Sequence, residues 1–236
     1  MAPPAISFYN SIERVISIPR LEAYRASHGT ENEILCRYLW NISLCESLYP
    51  AFQMLEVSFR NAVHSEIATA AKVPEWLMQS ASFLYRDELS AIEDAKASLA
   101  KRKGTITEPV LIAEMGFGFW TSLLDSRYET MWHRIIAGVF PYMPRSRRTR
   151  QEAARGMNMV RKMRNAALHH HSLWHWADLV EQHKMMHTLI EWICPSVSQL
   201  AKGIDRFGSV YSGGPKQFDS IVGALSNRNS PVGLGL

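Results

Sequence analysis

Long apolar runs and paired cysteines are both missing from this sequence of 236 residues. No apolar stretch reaches the roughly 18 residues that a membrane-spanning helix needs, so we expect no membrane span. The cysteines (Cys36, Cys45 and Cys194) form no C-x-x-C pair, and an odd number does not indicate a disulfide framework. The first residues, beginning at Met1, lack the charged and then apolar plan of a secretory signal. A cytoplasmic protein is the resulting expectation.

Signature loops of several enzyme classes are missing too. The sequence has no Walker loop, no Rossmann glycine fingerprint and no G-x-S-x-G elbow. Its segment Gly116-Phe-Gly-Phe lacks a following lysine, so close packing of a helix is the better interpretation. Runs in which valine or isoleucine alternates with polar residues are few, whereas apolar residues often recur at helical spacing. These patterns predict an all-α protein for which we expect no cofactor.

Turn and helix signals divide the chain into three parts. Residues 1–30 are predicted to form a lead-in made of a loop or a short helix, and residues 31–201 to form the helical domain. From residue 202 to 236, glycine and serine turn signals recur, which predicts a mostly mobile tail with a short helix at about 216–226.

Within the helical domain, Thr30 and Glu33 have the spacing of a capping box, so a helix is expected to begin beside them. Pro50 is expected to kink or end that helix, because proline removes one backbone hydrogen bond. A second apolar run follows Pro50 and ends near Lys72. The further helices are predicted at about 86–103, Glu108 to Leu124, 146–168 and 173–200.

Basic residues are concentrated just before residue 165, although the net charge of the chain is only +4. Such a run is either a solvated helix face or a surface that binds phosphate. Its position directly before the segment from Arg164 to His169 favours the phosphate-binding surface. We therefore expect RNA contacts along it. The basic residues that precede the motif are Arg145, Arg147, Arg148, Arg150, Arg155, Arg161 and Lys162, with Glu152 as the single acid among them.

The segment from Arg164 to His169 combines a cation, an amide (Asn165) and an imidazole. In one interpretation these are surface groups at a helix end. In the other, Arg164 stabilises the charge that builds on a phosphate and His169 acts as general acid or base, since its pKa lies near neutrality. The nucleophile is then the 2′-hydroxyl of RNA, and no metal is needed. On a helix, residues five apart diverge by about 140°, so the two side chains converge only if the segment bends or a second copy faces it.

A polar stripe lies in the second apolar run. Glu56, Arg60 and His64 follow at spacings of four, with Asn61 beside them. A Glu56–Arg60 ion pair that holds helices together is the structural interpretation. The functional alternative is that the stripe lines the same cleft as Arg164, where Glu56 would orient an arginine.

Two histidine pairs have the spacing of zinc ligands on one helix face: His171 with His175, and His183 with His187. No H-E-x-x-H order accompanies them, and none of the cysteines lies within the cluster. Polar residues on a helix face are the favoured interpretation, so no metal site is predicted.

Three blocks, in order, resemble the Abi-like (abortive infection) proteins of the HEPN superfamily. The blocks are Tyr38 to Asn41 with Leu55 to His64, Glu114 to Leu124 with Tyr128, Glu129 and Trp132, and Met163 to His170. The resemblance implies a HEPN-type helical bundle with extra helices and a metal-independent endoribonuclease, often a toxin or a phage-defence effector. It assigns catalysis to Arg164, Asn165 and His169, and supporting roles to His170, Glu56, Arg60, Asn61 and His64.

The resemblance also implies a homodimer in which two copies of the motif face one another, and it leaves room for an antitoxin. The chain departs from the family at Ala166, where many relatives have a basic residue, and at His171, where many have an acid. A HEPN-like module that holds a structured small RNA without cutting it remains an alternative, as does a helical protein without nucleic acid.

Overall fold

The computed structural model describes residues 7–27, 29–80 and 82–228, and every regular element within them is helical. Twelve α-helices and three short 3-10 turns follow one another without a β-strand in these residues. The prediction of an all-α protein is therefore confirmed. None of the helices in the described residues is both long and apolar enough to cross a membrane.

The helices are α1 (Phe8–Ile16), α2 (Ile18–Glu22), α3 (Glu31–Ala71), α4 (Arg86–Lys101), α5 (Glu108–Glu114), α6 (Phe117–Ser122), α7 (Glu129–Val139), α8 (Arg150–Leu168), α9 (Leu179–Ile193), α10 (Pro195–Gly203), α11 (Phe207–Gly213) and α12 (Asp219–Arg228). The 3-10 turns are Ser126–Tyr128, Arg145–Arg147 and Pro215–Phe218.

The chain divides into two compact units. The first, called unit 1, takes its described residues from Met1–Tyr49, Ala166–Ala177 and Asp205–Leu236. The second, unit 2, takes them from Pro50–Asn165 and Asp178–Ile204. Helices α3 and α8 each contribute residues to both units.

Unit 1 buries a cluster that joins α1, α2 and the first part of α3 to α12. Its fully buried members include Leu21 and Ile34, and Val222 of α12 belongs to the same cluster. The predicted capping box is present. The backbone N–H of Thr30 donates to Glu33 Oε2 at 3.0 Å, and the N–H of Glu33 donates to Thr30 Oγ1 at 3.3 Å. The start of α3 is thus fixed by local chemistry.

Unit 2 has an aromatic core. Trp76, Trp120, Trp132, Phe59 and Phe140 are all fully buried. Phe59 of α3 stacks on Phe140, with 6.0 Å between ring centroids, and the Trp76 and Trp120 rings meet edge to face at 6.1 Å. Large aromatic side chains bury much apolar area each, so this cluster sets the packing of α3 against α6 and α7.

Pro50 does not end the first long helix, contrary to one of the expected outcomes. Helix α3 continues through Pro50 and is 41 residues long in all. Leu48, Ala51, Phe52 and Leu55 around it are all buried. Proline in a helix interior costs about 3 kcal/mol or more. The burial of these four side chains offsets that cost, since each large apolar side chain contributes about 1.5–3 kcal/mol.

The segment from Glu108 to Leu124 forms two helices rather than the single helix predicted. Helix α5 ends where Met115 adopts an extended conformation, with ψ of 117°, and Gly116 begins α6. The buried Trp120 donates its indole N–H to the carbonyl oxygen of Met115 at 3.1 Å. A side-chain bond between residues five apart thus satisfies a carbonyl that a continuous helix would have used.

The helix predicted over 173–200 is also divided. Helix α9 begins at Leu179, and it is followed by α10 after Cys194, whose φ and ψ are −157° and 110°. Cys194 precedes Pro195, and a residue before proline is pushed out of the helical region by the proline ring. This boundary was readable from the sequence.

The segment beyond residue 201, predicted to be mostly mobile, contains α11 and α12. Its anchors are apolar: Phe207 and Val222 are both 2% exposed. Trp40 of α3 donates its indole N–H to the carbonyl oxygen of Val210 at 2.9 Å. The prediction of mobility rested on the many glycine and serine residues and did not take these buried apolar side chains into account. The predicted helix at about 216–226 corresponds to α12, while residues 229–236 lie outside the described residues.

Candidate active site

Helix α8 ends in a Schellman motif within the predicted catalytic segment. The N–H of His171 donates to the carbonyl of Ala166 at 2.8 Å, and the N–H of His170 donates to that of Ala167 at 3.3 Å. His170 has a φ of +62°, the left-handed conformation that this motif requires. The helix therefore places Arg164 in its last turns and His169 at its C-cap.

His169, His170 and His171 are all exposed. Two of them, His169 and His170, line a cavity of about 590 Å³ that belongs entirely to unit 1. Arg20 and Tyr24 of the N-terminal segment form another part of its wall. A cavity of this size is in the range of small-ligand sites. The remaining lining residues are Ile16, Tyr38, Asn41, Ile42, Cys45 and Ala167.

Arg20 supplies a cation at this cavity that no sequence motif indicated. Its guanidinium donates to the backbone carbonyl oxygen of His170. This contact uses only part of the five-donor fork of an arginine. Arg20 follows Pro19 in a segment predicted to be a lead-in, so its place beside the histidines depends on tertiary structure.

Asn41 fixes the chain that leaves the histidine segment. It is 3% exposed, and its Oδ1 accepts the N–H groups of Leu173 at 2.6 Å and Trp174 at 3.3 Å. Its Nδ2 donates to the carbonyl oxygen of His171 at 3.4 Å. One buried amide therefore holds three consecutive peptide groups beside the histidines. Asn41 belongs to one of the blocks that carry the family resemblance, but its spacing in the sequence did not indicate this role.

Cys45, which also lines the cavity, is not a nucleophile at neutral pH. Burial raises the pKa of its thiol to about 11. Since the thiolate is the reactive form, the thiol is inert near pH 7. The chemistry of the cavity then rests on its histidines and on Arg20.

Arg164 is oriented by its neighbours in unit 2. Its Nη2 lies 3.6 Å from Glu56 Oε2, and its Nη1 donates to Asn165 Oδ1 at 3.3 Å. The side chain of Arg164 remains 29% exposed. The guanidinium is thus positioned by a carboxylate and an amide and still open to a ligand. Such an arrangement suits the binding of a phosphate oxygen.

Among the described residues, Glu56 pairs with Arg164 and makes no ion pair with Arg60. This contact favours the interpretation in which Glu56 orients an arginine, here Arg164 of α8, over the Glu56–Arg60 ion pair that would hold helices together. Arg60 is partly buried and its Nε has no hydrogen-bond partner in the described residues. Asn61 is exposed.

His64 has a structural position. Its Nε2 lies 2.7 Å from the buried Glu108 Oε1, and its ring stacks on Trp76 at 5.5 Å between centroids. Glu108 also accepts the backbone N–H groups of Leu77 and Met78, at 3.1 and 2.9 Å. His64 therefore holds α5 and the segment after α3 together. The polar stripe of α3 splits, with Glu56 at Arg164 and His64 at Glu108.

The basic segment also divides by its contacts. Arg147 and Arg155 both pair with Glu152, and the Arg147 guanidinium lies over the Trp192 ring at 5.1 Å from its centroid. These two arginines are exposed. Their charges are partly neutralised by one shared acid, which lowers what each can add to phosphate binding.

Two further arginines of the segment are held by the fold. Arg148 donates to the carbonyl oxygens of Met143 and Pro141, at distances of 2.7 to 3.0 Å. Arg150 pairs with Glu129 and donates to the carbonyl oxygen of Leu124 at 2.6 Å. Both hydrogen-bond networks secure the start of α8. We therefore expect Arg148 and Arg150 to contribute less to RNA binding than the exposed cations of the segment.

Arg145 and Lys162 are exposed, and they remain the best candidates for phosphate contact in the segment. Arg161 differs from them because it lines a polar cavity of about 270 Å³ in unit 2, together with Asn158 and Arg127. The segment is thus a mixture of structural arginines and exposed cations rather than one uniform basic face.

Comparison with known proteins adds no relative: no family model, no curated protein and no solved structure matches the chain.

Proposed function

We propose that the protein is a HEPN-type endoribonuclease that cleaves RNA through Arg164 and His169 and acts as a homodimer. The observation that carries the proposal is the setting of Arg164. A carboxylate and an amide orient its guanidinium, which stays partly open on a helix whose C-cap is an exposed histidine. An oriented cation and an exposed imidazole are two of the groups that metal-independent phosphodiester cleavage uses.

In the proposed reaction, His169 takes the proton of the RNA 2′-hydroxyl as the 2′-oxygen attacks the adjacent phosphorus. The bond from phosphorus to the 5′-oxygen breaks, and the leaving 5′-oxygen receives a proton from a general acid. His169 of the facing copy, in its protonated form, fills that second role. The products are a 2′,3′-cyclic phosphate and a 5′-hydroxyl, so no water is consumed in this step.

Arg164 binds the non-bridging oxygens, where negative charge grows in the transition state. Asn165 and Glu56 keep the guanidinium in place, and Glu56 acts through Arg164 rather than on the substrate. Arg20 and the cavity of unit 1 offer a cation and a recess for the nucleotide beside the histidines. Arg145 and Lys162 bind phosphates farther along the strand.

The decisive experiment compares two double variants of the untagged full chain on a labelled single-stranded RNA in excess EDTA. Arg164→Ala/His169→Ala should lower cleavage at least 100-fold, since each general acid–base or charge-stabilising group contributes about 10² or more. The matched control is His133→Ala/Arg134→Ala, an exposed histidine and arginine on α7, which should cleave like the unaltered protein.

Two further measurements test the mechanism. An RNA with a single 2′-deoxy position should resist cleavage at that position, and the products should carry 2′,3′-cyclic phosphate ends. Cleavage that survives Arg164→Ala/His169→Ala, or that continues at the 2′-deoxy position, refutes the proposal. RNA binding without cleavage in the unaltered protein would instead favour the module that holds a structured RNA.

Glu56 provides a test of positioning. Glu56→Gln keeps the shape of the side chain and removes the charge that faces Arg164 at 3.6 Å. We expect kcat to fall about tenfold with little change in KM, as for a group that aligns a transition-state contact. An equal fall in a Glu56→Asp variant that retains the charge would mean that the geometry matters more than the charge. An unchanged kcat in Glu56→Gln would contradict the role assigned to Glu56.

A further inference from the structure

The two histidine pairs with the same sequence spacing have different structures. His171 and His175 lie in the loop that follows α8, where a spacing of four residues does not bring side chains to one face. His183 and His187 lie within α9, where residues four apart are neighbours. Because the spacing is the same, both pairs were interpreted as polar residues on a helix face, and no metal was predicted for either. Only the second pair meets the geometric condition for shared ligation.

The ring nitrogens of this second pair converge. Nε2 of His183 lies 3.2 Å from Nε2 of His187, with ring centroids 4.7 Å apart and ring planes at 70°. Zinc binds imidazole nitrogen at 2.0–2.1 Å in a tetrahedral arrangement, which places two nitrogen ligands about 3.3 Å apart. The two nitrogens, which are within hydrogen-bond distance of each other, are therefore already at the separation that two ligands of one ion require.

Burial supports ligation. His187 is 7% exposed and His183 is partly buried, so the pair presents its nitrogens at a shielded point rather than in open solvent. Both residues belong to unit 2, and α9 around them is anchored by the buried Met186, Leu189 and Ile190. The rings are therefore held on a rigid element, which limits the entropy lost when an ion binds.

We propose that His183 and His187 together bind a divalent transition-metal ion of the Zn²⁺ class. Imidazole nitrogens select such ions over Mg²⁺ and Ca²⁺, which prefer oxygen ligands. The ion links two successive turns of α9 and stabilises unit 2. Neither ligand takes part in the proposed cleavage.

Calorimetric titration of the metal-free, untagged full chain with ZnCl₂ tests the site. We expect one equivalent of Zn²⁺ to bind near pH 7.5, MgCl₂ to give no binding, and CoCl₂ to produce a visible ligand-field absorption. The Tm should rise with free Zn²⁺ concentration.

Variants assign the ligands. His183→Ala, at the less buried position, should raise the Kd for Zn²⁺ at least tenfold, and His187→Gln should do the same. The matched control, His171→Ala/His175→Ala, removes a pair with identical spacing and should leave the Kd unchanged. Circular dichroism of each variant checks that the helices remain.

Three results would overturn the inference: no Zn²⁺ binding to the unaltered chain, an unchanged Kd in a folded His183→Ala variant, or loss of binding in the control. The RNA assays decide a different question. Cleavage abolished by Arg164→Ala/His169→Ala with no Zn²⁺ binding would refute the metal site alone. Zn²⁺ binding at His183 with no dependence of cleavage on Arg164 would refute the nuclease alone.

Discussion

Replacement of Asn41 by leucine should destabilise unit 1 and release the chain beside the histidines. The buried side chain accepts the N–H groups of Leu173 and Trp174 and donates to the carbonyl of His171. Leucine has the same branching and the same number of side-chain heavy atoms, so the substitution removes the hydrogen bonds without opening a large cavity. The backbone groups that lose their partner stay close to the core, because Leu173 is fully buried.

The magnitude follows from the number of groups left unsatisfied. A buried donor without an acceptor costs about 1–3 kcal/mol, and the shorter contact, to Leu173, should contribute most. We therefore expect a loss of about 2–4 kcal/mol in the free energy of unfolding. For a chain of this length, 1 kcal/mol corresponds to about 2–4 °C, so the Tm should fall by roughly 5–15 °C.

Thermal unfolding followed by circular dichroism measures the fall, and hydrogen exchange locates it. The amides of Leu173 and Trp174 should exchange much faster in Asn41→Leu than in the unaltered protein. Asn61→Leu, the same change at an exposed position of the same helix, should alter stability by no more than about 0.5 kcal/mol. A Tm within 2 °C of the unaltered protein, with both amides still protected, would refute the anchoring role; the 2 °C limit is about the shift expected for 1 kcal/mol or less.

Two further predictions concern charge and pH. Arg145→Glu/Lys162→Glu should weaken RNA binding and reduce the slope of log K against log salt by about one for each phosphate that is no longer neutralised. Arg148→Ala should chiefly lower the Tm. Equal salt slopes in the two variants would contradict the division of the basic segment into structural arginines and exposed cations. Burial raises the pKa of both Cys36 and Cys45 from 9.0 to about 11, so the folded state keeps protons that the unfolded state loses above pH 9. The stability that the two thiols contribute should be fully present below pH 9 and fall between pH 9 and 11. Chemical denaturation across this range should show a smaller fall when both cysteines are replaced by alanine; the remaining fall comes from Tyr9, Tyr24 and Tyr128, whose pKa values burial also raises.

Several features of the fold follow from local chemistry and were predictable. The capping box of Thr30 and Glu33 begins α3, and the polar helix predicted at about 86–103 is present as α4. Pro195 ends α9 for a steric reason that involves only its neighbour. In each case the relevant partners are within a few residues, so the sequence contains the whole interaction.

Other features needed tertiary contacts. The break at Met115 depends on the buried Trp120, and the passage of α3 through Pro50 depends on apolar burial on both sides. The helices after residue 201 depend on Phe207 and Val222 reaching a core. Glycine or proline in a sequence predicts a turn, but the packing energy of many tertiary contacts decides whether the turn forms.

The candidate site shows the same division. By itself, the sequence determined that Arg164, Asn165 and His169 stand together near the end of a helix, because their order and the helical period are local properties. Tertiary structure decided that Glu56 faces Arg164 rather than Arg60, and that His64 binds Glu108 instead. Ion pairs and hydrogen bonds between distant segments depend on which faces the core brings within about 4 Å, and spacing along the chain cannot specify that.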